Sequence, residues 1–370
     1  MTDAYMTNRC TLIIDGNWLL MSRLGPHMRD FTSTDDQELV QASNNLVDLL
    51  AQSVNKIINY FGDNIDNVMM VQDGGSWRKH YPKPSLYTEV YKGNRVAQEQ
   101  VNWDYIWKAL RQFCVNFHDN GMTCTQHRDI EGDDWCWFWS RYLNHNDTNV
   151  IIWSSDCDLK QLVQRDASTN RWTIWYNDRA GLCVHDCYNP SSIGEVDVFF
   201  EQQDPSIDHI VSNTTQRGEK VSYVIPDFIR MDKIICGDVG DNIKPVITTS
   251  KNDRVIRVSS REWERVRTML NIDSIEQLYE HRVDVVDELL KTKRLCSCTN
   301  SKDDILDLID YNYHMVVLDK KYIPDEQRIE MRSHADEYRV ADLDYIRNNY
   351  KVLGSMRRQD DIRSLFEDII

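Results

Sequence analysis

The fold is decided by the stretch Val150-Ile151-Ile152-Trp153-Ser154-Ser155-Asp156-Cys157-Asp158. It opens with a short apolar run rich in β-branched residues, which is typical of a strand buried on both faces of a parallel sheet. The run stops at two serines and delivers two carboxylates. Because ligand sites of open α/β sheets form at the carboxyl ends of strands, we expect Asp156 and Asp158 to mark a functional site.

Two earlier segments repeat this pattern. Cys10–Asp15 and Val68–Asp73 are short apolar runs, and each ends in an aspartate. Between them, Asp35 and Asp36 open a segment whose apolar residues keep helical spacing until Gly62. Two strands joined by a helix predict a βαβ unit, with both aspartates at one edge of the sheet.

The rest of the chain continues an α/β pattern and then becomes helical. We predict helices at about 103–120 and from Gly132, with strands at 122–126 and 171–176. Proline stands near the start of a further helix at 225–230, which leads into the turn Gly237-Asp238-Val239-Gly240-Asp241-Asn242-Ile243. From about residue 259 the pattern is helical and charged, while residues 189–220 are polar without clear periodicity and are predicted to be an insertion.

Composition narrows the class of protein. With 41% hydrophobic and 28% charged residues, the 370-residue chain is typical of a water-soluble globular protein. No apolar run reaches membrane-spanning length, and ten cysteines without a secretory segment favour reduced thiols in a cytoplasm. The net charge of −16 opposes binding of nucleic acid through the overall field of the protein. Such binding would therefore need locally concentrated basic residues.

The segment from Gly74 to Gln100 could supply those residues. It is poor in apolar residues, contains two prolines, and carries Arg78, Lys79, Lys92 and Arg95. A solvated charged loop would have the same composition. Its neighbours in the sequence favour an exposed basic lobe that contacts phosphates.

Nine acidic residues stand at strand ends, at one helix start and in one turn. Packed together without a cation, like charges would raise one another's pKa until some carboxyl groups held protons. Oxygen-seeking divalent ions remove that repulsion, and two ions about 4 Å apart suit displacement at phosphorus. The predicted metal ligands are Asp15, Asp73, Glu131, Asp133, Asp134, Asp156, Asp158, Asp238 and Asp241.

These motifs resemble those of flap endonucleases and 5′-to-3′ exonucleases, in the same order along the chain. Within that family, the chain most resembles the branch represented by ribonuclease H of T-even bacteriophages, over nearly its whole length except the insertion. The motifs are Asp15, Asp73-Gly-Gly-Ser-Trp-Arg-Lys, Tyr91-Lys-Gly-Asn-Arg, Glu131-Gly-Asp-Asp, Ser155-Asp-Cys-Asp and Gly237-Asp-Val-Gly-Asp-Asn-Ile.

The resemblance implies roles for these residues. One Mg²⁺ would lie near Asp73, Asp133 and Asp156, with Asp15, Glu131 and Asp134 contributing directly or through water, and a second near Asp158, Asp238 and Asp241. Mn²⁺ would substitute. Residues 74–100 would form a helical arch for the 5′ strand, which Arg78 and Lys79 would guide. Lys92 and Arg95 would contact the scissile phosphate and stabilise the charge developing there.

One motif departs from the wider family. After Asp241-Asn242-Ile243 the usual Pro-Gly-Val-Gly turn is replaced by Lys244-Pro245-Val246-Ile247. We therefore expect Lys251, Arg254 and Arg257 to contact duplex phosphates without the monovalent ion that this region binds in the wider family.

The expected fold is α/β, with a central mostly parallel sheet flanked by helices in a flap-endonuclease-like (PIN-like) nuclease core. The core would span 1–245, with the arch at 74–100 and the insertion at 189–220, and a smaller helical C-terminal domain would span 246–370. The expected function is Mg²⁺-dependent 5′-to-3′ exonuclease and flap endonuclease activity on RNA–DNA hybrid and duplex DNA. Alternatives are a single-strand-specific ribonuclease with a PIN-like acidic core and a nonhydrolytic DNA-junction-binding protein.

The resemblance also implies a setting and partners. It points to a monomer that removes lagging-strand RNA primers during phage DNA replication in the host cytoplasm, alongside a single-strand DNA-binding protein. Residues 364–370 resemble the Leu-Phe-containing tails that dock on sliding clamps. An ordinary amphipathic end packed on its own domain is an equally good interpretation of that tail.

Overall fold

The computed structural model describes residues 10–87, 89–94, 100–166, 169–189, 205–251 and 254–355. By contacts between residues, the chain divides into two compact units. The first, the sheet unit, comprises residues 1–75, 98–224 and 326–370, and the second, the helical unit, comprises residues 76–97 and 225–325. The terminal segment 364–370, with its predicted clamp-docking motif, lies outside the described residues.

One sheet dominates the described part of the sheet unit. Its eight strands are β1 (Cys10–Asp15), β2 (Asn67–Val71), β3 (Thr123–Thr125), β4 (Asn149–Trp153), β5 (Gln164–Asp166), β6 (Arg171–Asn177), β7 (Gly181–His185) and β8 (Val221–Val224). They follow the order β3-β2-β1-β4-β6-β7-β8, with β5 paired to β6. All pairs are parallel except β5–β6 and β6–β7. The predicted mostly parallel sheet is confirmed.

Helices cover this sheet because each presents an apolar face. They are α1 (Gly16–Leu24), α2 (Asp36–Phe61), α3 (Trp103–Asp119), α4 (Gly132–His145) and α5 (Pro205–Gln216). The apolar stripe of α2, which includes Leu46, Leu50 and Val54, is fully buried in the core. Burial on both faces explains the uninterrupted apolar sequences of β1, β2 and β4.

The predicted insertion contains regular structure. Helix α5 lies within it and buries Ile207 and Ile210, and β8, which begins just after it at Val221, extends the sheet by pairing with β7. Residues 190–204 lie outside the described residues. The polar sequence concealed this helix because only a narrow stripe of it needs to be apolar.

The helical unit consists of α6 (Pro226–Cys236), a hairpin of β9 (Thr248–Lys251) and β10 (Arg254–Arg257), and the helices α7 (Ser260–Leu270), α8 (Ile275–Glu280), α9 (Arg282–Leu290) and α10 (Lys302–Val316). The fully buried amide of Asn312 in α10 donates hydrogen bonds to the carbonyl oxygens of Ile234 and Lys244, at 2.8 and 2.9 Å. These bonds join α10 to α6 and to the turn that follows it. The helical unit therefore begins before α6, whereas the sequence predicted a boundary after residue 245.

The C-terminal segment returns to the sheet unit. After α11 (Asp325–Ser333), the Tyr338 hydroxyl lies 3.0 Å from the Thr11 hydroxyl, and the Asn67 amide donates to the carbonyl oxygen of Arg339 at 2.8 Å. The helices α12 (Leu343–Asn349) and α13 (Lys351–Gly354) follow, and their Leu343, Ile346 and Leu353 are buried in its core. The predicted C-terminal domain of 246–370 thus ends near residue 325 as a contact unit.

The predicted arch is not helical in the described residues. Between residues 74 and 100, they contain one short 3₁₀ helix, Trp77–His80, and otherwise turns and extended chain. Pro82 and Pro84 lack the backbone N–H that an α-helix needs, and Gly93 disfavours helix by entropy.

Candidate active site

Three predicted metal ligands follow three neighbouring parallel strands. In the sheet, β1 lies between β2 and β4, with Asp15 opposite Val71 and Ile14 opposite Trp153. Asp73 comes two residues after β2, and Asp156 comes three residues after β4. Because the strands run in one direction, these carboxylates emerge at the same edge of the sheet, as the sequence predicted.

Asp15 lies between two hydrogen-bond donors and two like charges. Its Oδ1 accepts the backbone N–H of Trp18 at 3.0 Å, and its Oδ2 accepts the Ser154 hydroxyl at 2.7 Å. Burial, followed by the negative charges of Asp73 and then Asp156, raises the pKa of Asp15 to about 7. The neighbouring carboxylates at this edge of the sheet therefore make Asp15 harder to ionise.

Asp73 is oriented by Asn17 and Gly132. Its Oδ2 accepts the Asn17 amide at 2.9 Å, and its Oδ1 accepts the backbone N–H of Gly132 at 2.6 Å. Gly132 begins α4, where the helix dipole favours a carboxylate. A Cβ on Gly132 would lie 2.9 Å from Asp73 Oδ1, so glycine suits this position despite its low helix propensity. Sequence analysis missed Asn17 and Ser154, although both stand one or two residues from a predicted ligand.

The two glycines after Asp73 pair with the loop that precedes α4. Gly74 donates its backbone N–H to the carbonyl oxygen of Ile130 at 2.9 Å, and Gly75 donates to Arg128. A Cβ on Gly74 would lie 1.8 Å from the carbonyl oxygen of His127, which leaves space only for hydrogen. This close approach of two backbones joins the end of β2 to the start of α4.

Helix α4 brings further acids to the same place. Glu131 precedes its first residue and is 4% exposed, Asp133 is half-buried, and Asp134 is fully buried. Four of the predicted acids lie near enough to the buried Cys136 thiol for their charges to act on it. Burial raises the pKa of Cys136 well above its usual value, and the charges of Asp15, Asp133, Asp73 and Asp156 raise it further. These four carboxylates, the sheet-edge acids, thus act on one buried sulfur atom.

Asp158 lies one turn beyond the sheet edge. It belongs to a 3₁₀ helix, Cys157–Leu162, and its backbone N–H donates to Asp156 Oδ1 at 2.8 Å. The Ser154 hydroxyl accepts the Asp156 backbone N–H at 2.9 Å, which fixes the chain between them. This local network explains why the two aspartates are separated by one residue.

The sheet-edge acids suit magnesium in their chemistry. They offer carboxylate oxygens, the ligands that Mg²⁺ prefers, and Mg²⁺ usually takes few protein ligands and several waters. Within the described segments, no three His, Cys, Asp or Glu side chains converge closely enough to hold a metal ion by themselves. The carboxylate oxygens of Asp15, Asp73 and Asp156 accept hydrogen bonds from other groups of the protein. The donors belong to Trp18, Ser154, Asn17, Gly132 and Asp158. The ligand roles of the predicted acids stay a prediction.

The helical unit carries the other two predicted ligands in a tight turn, residues 237–244, called the acid turn below. Asp238 Oδ1 accepts the Gly240 N–H at 2.8 Å, and Asp238 Oδ2 accepts the Lys233 ammonium. Burial opposes ionisation of Asp238, but Lys233 and the turn amides outweigh it and lower its pKa. The Tyr91 hydroxyl donates to Asp241 Oδ2 at 3.2 Å.

The predicted basic contacts fall into three groups. Lys79, Arg254 and Arg257 are exposed, and Lys92 is half-buried with its ammonium 5.1 Å from the centre of the Tyr91 ring. Arg78 is 1% exposed and stacks on Trp77, so it presents no surface to a nucleic acid here, contrary to the prediction. Arg95 lies outside the described residues, as does the side chain of Lys251, although its backbone belongs to β9.

The predicted fold class, an α/β fold with a mostly parallel central sheet flanked by helices, is confirmed, and the fold is similar to that of solved 5′-exonuclease structures. The solved structures that support this statement include the T5 D15 protein co-crystallised with metal ions, with a TM-score of 0.52 and 14% identity. They also include T5 5′-exonuclease with bound divalent zinc, with a TM-score of 0.52 and 13% identity. Each comparison covers 94% of this chain and 100% of the other. No protein-family model and no curated protein matches the chain.

Proposed function

We propose that the protein is a divalent-metal-dependent nuclease that cleaves phosphodiesters at 5′ ends and flap junctions. The observation that carries the proposal is that Asp15, Asp73 and Asp156 lie at the carboxyl ends of three neighbouring parallel strands, where Asp73 also accepts the backbone N–H of Gly132 at the start of α4. The fold shared with T5 5′-exonuclease supports it. In the described part of the chain no helix is long and apolar enough to span a bilayer.

Asp73, Asp133 and Asp156 would hold the first Mg²⁺, with Asp15, Glu131 and Asp134 contributing directly or through water. When bound, such ions neutralise charge on a reacting phosphate and acidify water. Asn17 and Ser154 orient the carboxylates of Asp73 and Asp15 through the hydrogen bonds described above. Asp238 and Asp241 are the proposed ligands of the helical unit for a second ion.

The basic residues would bind the substrate backbone. Lys92 and Arg95 would offset charge on the scissile phosphate, and Lys79 would guide the single strand. In the described part of the chain no acidic side chain forms an ion pair with Arg254 or Arg257, so these two cations can meet duplex phosphates. Lys251 would add to this contact.

The substrates, the biological setting and the partners are proposed from the sequence resemblance to flap endonucleases and 5′-to-3′ exonucleases. We propose activity on RNA–DNA hybrid as well as duplex DNA, in the removal of RNA primers during phage DNA replication. A sliding clamp, bound through residues 364–370, and a single-strand DNA-binding protein are the proposed partners. Preference for a 5′ junction over unstructured RNA distinguishes this function from that of a single-strand-specific ribonuclease.

The test is cleavage of a 5′-labelled flap and an RNA–DNA hybrid by wild type, Asp156→Asn and Asp147→Asn. Asp147 is an exposed residue just before β4 and serves as the matched control. Asp156→Asn should lose at least about a hundredfold in rate, because a charge-compensating ligand is removed, and should keep substrate binding. Asp147→Asn should cleave like wild type. Tight binding without Mg²⁺-dependent cleavage by wild type would instead favour a nonhydrolytic junction-binding protein.

A further inference from the structure

The acid turn is held by a segment far away in sequence. Residues 86–87 and 89–94, called the clasp below, lie against it within the helical unit. Lys92 in the clasp and Asn242 in the acid turn both have left-handed backbones, with φ of 54° and 61°. This conformation is uncommon for residues other than glycine, and asparagine tolerates it best.

The two left-handed residues are joined by reciprocal hydrogen bonds. The backbone N–H of Lys92 donates to the carbonyl oxygen of Asp241 at 2.9 Å, and the Asn242 amide donates to the carbonyl oxygen of Val90 at 3.0 Å. Lys92 thus donates to the residue just before Asn242, and Asn242 donates to the residue two positions before Lys92. The geometry of Lys92 and that of the acid turn are therefore mutually dependent.

Four more hydrogen bonds connect the clasp with the acid turn. The Tyr91 hydroxyl donates to Asp241 Oδ2 at 3.2 Å, and the Asn94 amide donates to the carbonyl oxygen of Val239 at 2.8 Å. The Lys244 ammonium donates to Leu86 at 3.2 Å, and the Tyr87 hydroxyl donates to the Asn242 carbonyl oxygen. The described residues of the clasp form neither helix nor strand, so these bonds contribute to its shape.

A rigid support lies beneath the clasp. The Tyr87 ring packs on Tyr311 with centroids 4.6 Å apart, and Tyr81 stacks on His314 at 4.5 Å. Both partners belong to α10, whose Asn312 also holds the carbonyl oxygen of Lys244 in the acid turn. The same helix thus anchors both sides of the contact.

We propose that Asn242 is a positioning residue, which holds Lys92 and the Asp241 carboxylate in one fixed arrangement. Asn242 has two roles. Its backbone adopts the left-handed conformation that the turn requires, and its side-chain amide binds the carbonyl oxygen of Val90, two residues before Lys92. This inference rests on the proposed function, in which Lys92 meets the scissile phosphate and Asp241 binds a metal ion.

The test compares Asn242→Ala and Asn242→Gly with Asn271→Ala. Asn271 is also left-handed, with φ of 54°, but it ends α7 at an exposed position outside the clasp and the acid turn. Both alanine variants place alanine in a left-handed backbone, whereas only Asn242→Ala also removes the tether to Val90. Asn242→Gly removes the tether without the strain.

Two measurements follow, and the first needs no activity. Hydrogen exchange in metal-free protein should accelerate in a peptide covering 86–94 for both Asn242 variants and stay unchanged for Asn271→Ala. In single-turnover cleavage of a 5′ flap, both Asn242 variants should lose about tenfold in rate, the factor for one hydrogen bond. Their half-saturating Mg²⁺ concentration should also rise, while substrate affinity stays unchanged.

Unchanged exchange of residues 86–94 in Asn242→Ala would overturn the proposal. So would full recovery of rate and Mg²⁺ dependence in Asn242→Gly, because the tether would then have no role. Wild type that does not cleave at all would refute the proposed function, whereas the exchange measurement would still decide whether Asn242 holds the clasp.

Discussion

The two acidic regions of the molecule hold their carboxylates by different physical means. At the sheet edge, Asp15 and Asp156 follow buried parallel strands, and the pKa of Asp15 rises because burial and like charges act together. In the acid turn, the Lys233 ammonium and backbone amides lower the pKa of Asp238. In the first region like charges oppose the ionisation of Asp15, whereas in the second a cation and backbone amides favour the ionisation of Asp238.

Because of this difference, different substitutions should destabilise the two regions. The sheet edge depends on the close approach of backbones around Gly74 and on the strands themselves. The acid turn follows helix α6 and receives hydrogen bonds from the clasp and from Asn312. Substitutions that separate these two kinds of support should therefore have distinct effects.

The largest effect is expected for Gly74→Ala. The added methyl group would lie 1.8 Å from the carbonyl oxygen of His127, and a backbone atom cannot rotate away as a side chain can. The free energy of unfolding should fall by about 3 kcal/mol or more. Urea denaturation measures it, with Gly25→Ala as control, because a Cβ on Gly25 meets nothing within 4 Å. Equal stability of the two variants would show that the backbones are not closely apposed.

A smaller loss is expected for Asn312→Ala in the helical unit. Its fully buried amide satisfies two carbonyl oxygens, and removing it leaves both without that donor. The free energy of unfolding should fall by about 2 kcal/mol, and hydrogen exchange should accelerate in the acid turn. Asn348→Ala, an exposed site in α12, should change stability by less than about 0.5 kcal/mol. Unaltered exchange in the acid turn would remove Asn312 as its support.

The smallest predicted effect is a change in melting temperature that has opposite signs in the two regions. Asp15 has a raised folded-state pKa, so its contribution to stability is lost as pH rises from about 4 through about 7. In metal-free protein at pH 8, Asp15→Asn should therefore raise the melting temperature by about 3 °C. The pKa of Asp238 is lowered, so its contribution is present at neutral pH, and Asp238→Asn should reduce the melting temperature.

Repeating the melts near pH 4 provides the check. There the folded protein keeps Asp15 protonated, so the gain from Asp15→Asn should disappear. A shift of the same sign for both variants at pH 8 would contradict the contrast between the two regions. A gain from Asp15→Asn that persists at low pH would assign it to packing instead of charge.

The sequence predicted the sheet edge better than the acid turn for a physical reason. Apolar runs that end in aspartate are local signals, so the strands carrying Asp15, Asp73 and Asp156 could be predicted from them. The acid turn is instead supported by the clasp, which is distant in sequence: Asn242 and its partner Val90 are 152 positions apart. Composition does not predict the left-handed backbone of Lys92 or the burial of Arg78.

Other errors have similar causes. The hairpin β9–β10 and helix α5 are short elements stabilised by their neighbours, so periodicity alone did not show them. The arch was predicted to be helical from resemblance, although its prolines and glycines oppose a helix. Asn17 and Ser154 could have been found by asking which residues near each aspartate can donate a hydrogen bond.

The central claim is that the sheet-edge acids bind a divalent ion. Anomalous diffraction from crystals soaked in Mn²⁺ tests it directly. We expect a peak bounded by the carboxylates of Asp73, Asp133 and Asp156, and we expect it to disappear in Asp156→Asn. Manganese bound elsewhere, or these carboxylates without a peak, would contradict it.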